Sequence, residues 1–428
     1  MNPHDELRAI ALPYGEREIT LRLPARNLGD VLTPRPATVC PDPAGEVRRA
    51  LASPIGMESL AAAARGARRV VIVADDLTRQ TPVDVIIPLL LDELQAGGIR
   101  AEQVGVLIAL GTHRPMSQAE IQARFGMEVT RRVPAVNHPW QDPAQLADLG
   151  VTPNGTPIQV SRLAVEADFL VGLGSIVPHH IPGYSGGAKI VQPGICGPAT
   201  TGATHLLSIR AARSHLGSVE NPVRAEMEAI GERVGLKAVF NTVLDPAGRL
   251  VRAFFGHPHA AFRAGAALAR QVYGVPLAGQ ADIVVAGSHP CDIEFWQAHK
   301  SLYPADLAVR DGGTIIVVTP APEGVSVTHR SMLNITALDA GEIERLIEQG
   351  AIHDGVSGAL ALAWAKIRRR ASISLVSDGI PADEARALGF TPFDSLGDAL
   401  AAALRRHGLR ARVTVLTHAP ETLPIVTS

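Results

Sequence analysis

Cysteine, aromatic residues and any excess of one charge are all scarce in this chain of 428 residues. Its three cysteines, Cys40, Cys196 and Cys291, are odd in number and far apart, with no Cys-x-x-Cys pair. That argues against a disulfide framework or a thiolate zinc site and makes a reducing cytoplasm the expected location. Forty Lys and Arg stand against 42 Asp and Glu, a formal net charge of −2. No basic stretch is interleaved with aromatics to track a phosphate backbone, so nucleic acid is not an expected partner. The charged segment from Met1 to Ile10 lacks the apolar stretch of a secretion signal, and no run approaches the roughly 18 apolar residues that span a bilayer. Neither secretion nor membrane insertion is expected.

What is present is core. Hydrophobic residues make up 46% and charged residues only 19% of the chain, enough to fill two domains of ordinary size. Short, continuous, β-branched runs read as buried parallel strands at Arg69 to Ala74, Val104 to Leu110, Phe169 to Leu173, Ile283 to Ala286, Thr314 to Val318, Ser372 to Val376 and Arg412 to Leu416. Helical patterns lie between them: Val83 to Gln95, Pro222 to Val234 with Asn221 as N-cap, and alanine-rich His259 to Val272. From Lys237 to Phe255 two β-rich runs flank Asp245-Pro246-Ala247-Gly248, the signal of an antiparallel hairpin. The expected fold class is α/β, with two domains of mainly parallel sheets flanked by helices, one hairpin, and a site in the interdomain cleft. The expected domains are 1–278 and 279–417, with the tail 418–428 crossing back to the first.

The chemistry-bearing residues follow the strands. Asp75 to Pro82 comes after the first run, Gly111-Thr112-His113-Arg114-Pro115 after the second, and Pro178 to Lys189 after the third. All three fall at carboxyl ends of strands, the edge where doubly wound sheets bind ligands. Pro290 to Lys300 follows the first strand of the second domain. The segment Gly183 to Lys189 is not a P-loop, because Ala188 and Ile190 flank the lysine where Gly and Ser or Thr are needed. Gly172-x-Gly174 opens like a dinucleotide fingerprint, but Val177 occupies the third glycine position.

The string Pro178-His179-x5-Ser185-Gly186-Gly187-x-Lys189, with His205 sixteen residues beyond the lysine, resembles the nickel-pincer-nucleotide lactate racemases and related 2-hydroxyacid racemases and epimerases. The likeness runs from Leu12-Pro13-Tyr14-Gly15 to Gln297 to Lys300. It implies an isomerase that takes hydride from C2 of a small 2-hydroxy acid and returns it to either face. The implied cofactor is a pyridinium mononucleotide (a pyridinium-3-thioamide-5-thiocarboxylic acid carrying nickel) tethered to Lys189, with His205 as the metal's protein ligand. By the same likeness His113 and His179 are the two acid/base groups. Histidine suits this work because its unperturbed pKa of about 6.5 lets it accept and donate a proton near neutrality.

Arg79, Gln297 and Lys300 are the expected holders of the substrate carboxylate. Asp76, Thr78 and the backbone amides of Ser185, Gly186 and Gly187 are candidates for the cofactor's ribose and phosphate. Lactate-specific members carry tyrosine immediately before the glutamine. Trp296 in that place points to a longer or differently shaped acid, such as malate, a phenyllactate-like acid or an aldonate. Proteins that build the cofactor are implied as transient partners.

Structural readings stand beside these. Arg79 could pair with Asp75 or Asp76, and Lys300 could be a surface lysine. His138, His180, His289 and His299 read as structural, and Cys196 and Cys291 as small core residues. Two rival functions remain open: a carrier of the nucleotide without turnover, and a zinc hydrolase using His113, His179 and His205 as ligands.

Overall fold

A computed structural model describes residues 6–35 and 37–427. Two six-stranded sheets organise it. The first runs Leu250–Gly256, Leu236–Leu244, Phe169–Ser175, Val70–Asp75, Val104–Ala109, Ala135–Asn137 from edge to edge, and every pairing is parallel except that of the outermost hairpin strand. The second runs Thr391–Phe393, Ser372–Val376, Val309–Val318, Ala281–Gly287, Val413–Leu416, Leu28–Leu32, and is parallel throughout. Helices cover the faces of both, so the central strands are apolar on both sides. All six residues of Val70–Asp75 and all seven of Phe169–Ser175 are buried.

Local chemistry explains several helix starts. Asn221 accepts the Arg224 amide and Pro222 sits in the first turn of Pro222–Val234, while Ser117 and Glu120 close a reciprocal capping box on Gln118–Arg132. The expected hairpin is present, closed by Asp245, whose side chain accepts the Ala247 and Arg249 amides.

The expected division at residue 279 does not describe the sheets. Leu28–Leu32 is an edge strand of the second sheet, paired with Val413–Leu416. The antiparallel pair Leu7–Tyr14 and Arg17–Pro24 lays Leu12, Tyr14, Leu21 and Leu23 against Ile283, Val285, Ile316 and Val413. The described residues therefore start on the second sheet, and the chain then crosses to the first. The pairing has a simple reason for escaping a sequence reading: the edge strand's partner begins at Val413, beyond the reach of any local pattern. The tail strand Leu423–Val426 pairs with Gly274–Leu277, and Leu423 packs with Ile176 and Tyr184.

The first sheet reverses its strand order where it matters. From Val70–Asp75 the chain moves outward through Val104–Ala109 to Ala135–Asn137, then returns to Phe169–Ser175 on the other side. The crevice beyond the carboxyl ends of Val70–Asp75 and Phe169–Ser175 is the topological switch point, and the second sheet's Phe295 to Ser301 segment faces it.

Candidate active site

A cavity enclosing about 960 Å³, open mouth included, lies at that switch point. It is lined from the first sheet by Asp76, Arg79, His113, His179, Lys189 and His205, and from the second by Trp296, Gln297 and Lys300.

His113 is held at both nitrogens. Its Nδ1 lies 2.7 Å from Asp76 Oδ2, and its Nε2 lies 2.9 Å from Gln297 Nε2. A carboxylate only accepts, so Nδ1–H donates to Asp76, and Nε2 keeps a lone pair that accepts from the Gln297 amide. Asp76 is held far below the usual carboxylate range, because the His113 contact and the Arg79 charge outweigh its burial. Asp76 is therefore the orienting partner of His113 rather than a free ribose contact. Thr78 closes its other oxygen and faces away from the cavity.

His179 is in a different environment. Its Nδ1 accepts the Ile181 amide at 3.2 Å, and its ring stacks on His180 with centroids 4.6 Å apart. Burial, then the Lys189, His180, Lys300 and Arg79 charges, depress its pKa well below the ordinary value.

Lys189 sits in the short turn Gly187–Ile190, and its amine has neither a hydrogen bond nor an ion pair among the described residues. Burial and the neighbouring Arg79, Lys300 and Arg224 push its pKa well below a lysine's usual value. The turn packs tightly on the sheet: a Cβ at Gly172 would stand 2.4 Å from Ile190 Cγ2, so the glycine that hinted at a dinucleotide fingerprint serves close packing instead. Gly186 has φ +79°, and a Cβ there would stand 2.6 Å from Ile176.

His205 is on the helix Pro198–Ser208. Its Nδ1 donates to Thr201 O at 2.7 Å, which leaves Nε2 with its lone pair free, and burial pushes its pKa down to about 4. A neutral imidazole with one nitrogen tied to a backbone carbonyl is the form in which histidine binds metals.

Two of the three amides expected to receive a phosphate are already engaged. The Ser185 amide donates to Val177 O at 2.8 Å and the Gly187 amide to Asn241 Oδ1 at 3.0 Å. Gly187 does not line the cavity, whereas Ser185 and Gly186 do. Arg79 forms no ion pair with Asp75 or Asp76. Its guanidinium donates to Thr78 O and Oγ1 at 3.0 and 2.8 Å, while Asp75 pairs with Arg124 at 3.0 Å. Gln297 and Lys300 share a face and are bonded to each other, and Lys300 is pushed down to about 8, mainly by burial and then by Arg79.

Arg224 went unnoticed in the sequence. Its guanidinium is 1% exposed, lies over the Phe262 ring and donates to Gly186 O at 3.0 Å and to Tyr184 O, thereby bracing the glycine turn from behind. No motif marks it. The only signal is an arginine placed among the apolar positions of a capped helix.

The residues fit a lysine-tethered metal nucleotide in two respects: an unpartnered buried amine whose pKa is pushed down, and a single imidazole with a free nitrogen in the same cavity. They fit a three-histidine zinc site poorly, since among the described residues no three His, Cys, Asp or Glu side chains converge as a metal site.

Comparison with known proteins finds relatives over most of the chain. Residues 14–217 match the description "Lactate racemase N-terminal domain" and residues 277–422 match "Lactate racemase C-terminal domain". The lactate racemase of Thermoanaerobacterium thermosaccharolyticum is 32% identical over 321 residues, covering 74% of this chain and 75% of its own. That of Lactiplantibacillus plantarum is 29% identical over 416 residues, covering 95% and 97%. The solved T. thermosaccharolyticum lactate racemase apoprotein superposes with a TM-score of 0.87 at 27% identity, over 98% of this chain and 100% of that one. A Thermotoga maritima protein shares the fold, with a TM-score of 0.70 at 21% identity over 86% and 96%. With both halves matched in order and the whole fold reproduced, the chain belongs to the lactate racemase family.

Proposed function

We propose that this protein is an isomerase that racemises or epimerises a 2-hydroxy acid at C2, using a nickel-pincer nucleotide tethered to Lys189. The observation that carries the reading is the convergence, in one cavity, of an unpartnered buried lysine, a metal-competent histidine and two further histidines, one bonded to a carboxylate and one ringed by cationic side chains. The name borne by the relatives makes lactate the first substrate to test.

When bound, the nucleotide would supply reversible acceptance of the C2 hydride. The protein's part is positioning and proton handling. Arg79 and Lys300 present positive charge to the substrate carboxylate from opposite sides of the cleft. The His113 Nε2 lone pair, now accepting from Gln297, is the base for the substrate hydroxyl, and Asp76 stabilises the imidazolium that forms. His179 serves the other hand of the substrate. One histidine takes the hydroxyl proton as hydrogen leaves C2, a planar 2-keto acid results, and a protonated histidine gives a proton back on return. Gln297, Lys300 and Trp296 cover the site from the second sheet and exclude water. Among the described residues no helix is long and apolar enough to cross a membrane.

The test is chiral chromatography of lactate, malate, phenyllactate and gluconate after incubation with protein made alongside the cofactor pathway and nickel. Interconversion of one acid establishes the reaction. No conversion by protein whose Lys189 carries the nucleotide mass would favour a carrier. His113→Ala and His179→Ala should each lower interconversion by about 10²- to 10⁴-fold, the usual range for losing an acid/base group, with the adduct retained. Wild-type rates in either variant would overturn the two-histidine assignment. Asp76→Asn should reduce the rate by about 10²-fold or more, because an amide cannot stabilise the His113 imidazolium.

A further inference from the structure

The cleft holds a second His–Asp pair that the proposed reaction does not use. His329 is 4% exposed, and its Nδ1 lies 2.6 Å from Asp354 Oδ2, close to the 2.7 Å of the His113–Asp76 pair. Asp354 is itself fixed as the N-cap of the helix Gly355–Arg370, where its other oxygen accepts the Val356 and Ser357 amides at 3.2 and 3.1 Å. Its carboxylate can only accept, so His329 Nδ1–H donates and Nε2 points the other way. There Nε2 meets Thr112, 2.9 Å from the hydroxyl and 3.2 Å from the carbonyl oxygen. The Thr328 hydroxyl donates to the same carbonyl at 3.1 Å.

These contacts cross the cleft. Thr112 precedes His113 in the loop after Val104–Ala109, whereas Thr328 and His329 belong to the second sheet's side. The His329 ring also lies flat on the Trp296 indole, with centroids 3.8 Å apart and planes 12° apart. Trp296 precedes Gln297, whose amide touches His113 Nε2. One imidazole thus contacts the residue before the proposed base and the residue before its amide partner. A nearby ion pair, Arg114 to Glu323 at 2.8 Å, spans the same seam.

We propose that His329, oriented by Asp354, is a positioning residue that couples closure of the cleft to placement of the His113 ring. It touches no reacting atom and acts through Thr112 and Trp296. Its catalytic consequence rests on the function proposed above; the clasp itself does not.

The experiment has two arms. In protein without cofactor, hydrogen exchange followed by mass spectrometry is read on the peptide covering Leu110 to Met116. His329→Ala should speed exchange there by about tenfold or more while the strand Val70–Asp75 stays protected. Thr112→Val keeps the shape and removes the hydroxyl, so it should show the same effect in smaller degree even if the alanine variant folds poorly. In loaded protein, kcat for the interconverted acid should fall about tenfold or more in both variants, by more than KM rises, because misplacement of a base costs rate. His329→Gln should recover part of the loss, because its amide reaches the Nε2 position and can still bond Thr112.

Unchanged exchange at 110–116 in both variants overturns the clasp. Raised exchange with unchanged kcat overturns the positioning role. A loaded wild-type protein inert toward every 2-hydroxy acid overturns the proposed function, and the exchange arm still decides for or against the clasp.

Discussion

Lys189→Ala is expected to give a folded protein with the mass of the unmodified chain, no retained nickel and no interconversion of any 2-hydroxy acid. The amine sits among Arg79, Lys300 and Arg224 with no carboxylate bound to it, and its pKa is driven well below the ordinary value. A neutral, desolvated amine is the nucleophilic form a covalent attachment needs. Removing it deletes a buried polar group that makes no hydrogen bond, so melting temperature should hold or rise. Lys189→Arg should fail in the same way, since a guanidinium stays protonated and cannot be acylated. His205→Ala is the informative contrast: mass spectrometry should still find the nucleotide on Lys189, while nickel measured by plasma emission drops. A nucleotide adduct persisting without Lys189, or undiminished nickel without His205, would overturn the respective assignment.

The second large effect is acid lability of the protein without cofactor. Burial holds His138 down to about 4 and His299 down to about 3, and His179 and His180 well below the ordinary value. In the unfolded chain these rings titrate near 6.5. Between 6.5 and their folded values the unfolded state binds more protons, so stability present above pH 6.5 is lost as pH falls through that window. Each such histidine contributes a slope of about 1.4 kcal/mol per pH unit, and four acting together make a steep descent. Glu421 works in the opposite sense: burial raises it to about 8, so between its unfolded value and 8 the folded state holds the extra proton. Burial raises Asp75, Glu294 and Asp306 in that same sense, while His205 and His418, both held down to about 4, join the four histidines on the other side. Below about pH 4 the carboxylates of Asp76 and Asp354, both held below their ordinary range, add a further loss as they protonate. Calorimetric melting temperatures should therefore decline markedly from pH 7 to pH 5 and collapse toward pH 4. A flat profile from pH 7 to pH 5 would show that these histidines are solvated and protonated in the folded chain.

Much of the site was legible before any coordinates because its parts are local. The loops holding His113, His179 and Lys189 each follow a continuous β-branched run, and a parallel strand buried on both faces must leave its polar residues at its end. The spacing from Lys189 to His205 likewise survives folding, because a short turn and one helix connect them. What could not be read was which neighbour each group would find. Asp75 and Asp76 are adjacent and chemically identical, yet one pairs with Arg124 and the other with His113, because Asp75 is the last residue of its strand and Asp76 the first of the loop that follows. The amides of Ser185 and Gly187 looked free and proved to be spent on Val177 and Asn241.

Chain order and local chemistry alone determined the α/β class, the hairpin, the helix starts and the set of residues that gather at the carboxyl edge of the first sheet. Only the tertiary structure decided that Leu28–Leu32 joins the second sheet, that Arg224 braces the glycine turn, and that His329 reaches Thr112 across 217 residues of sequence. The physical reason is range. Periodicity, capping and turn chemistry act within a few residues, whereas an edge strand, a buried guanidinium or an interdomain hydrogen bond takes its energy from a partner that comes near only once both cores have formed.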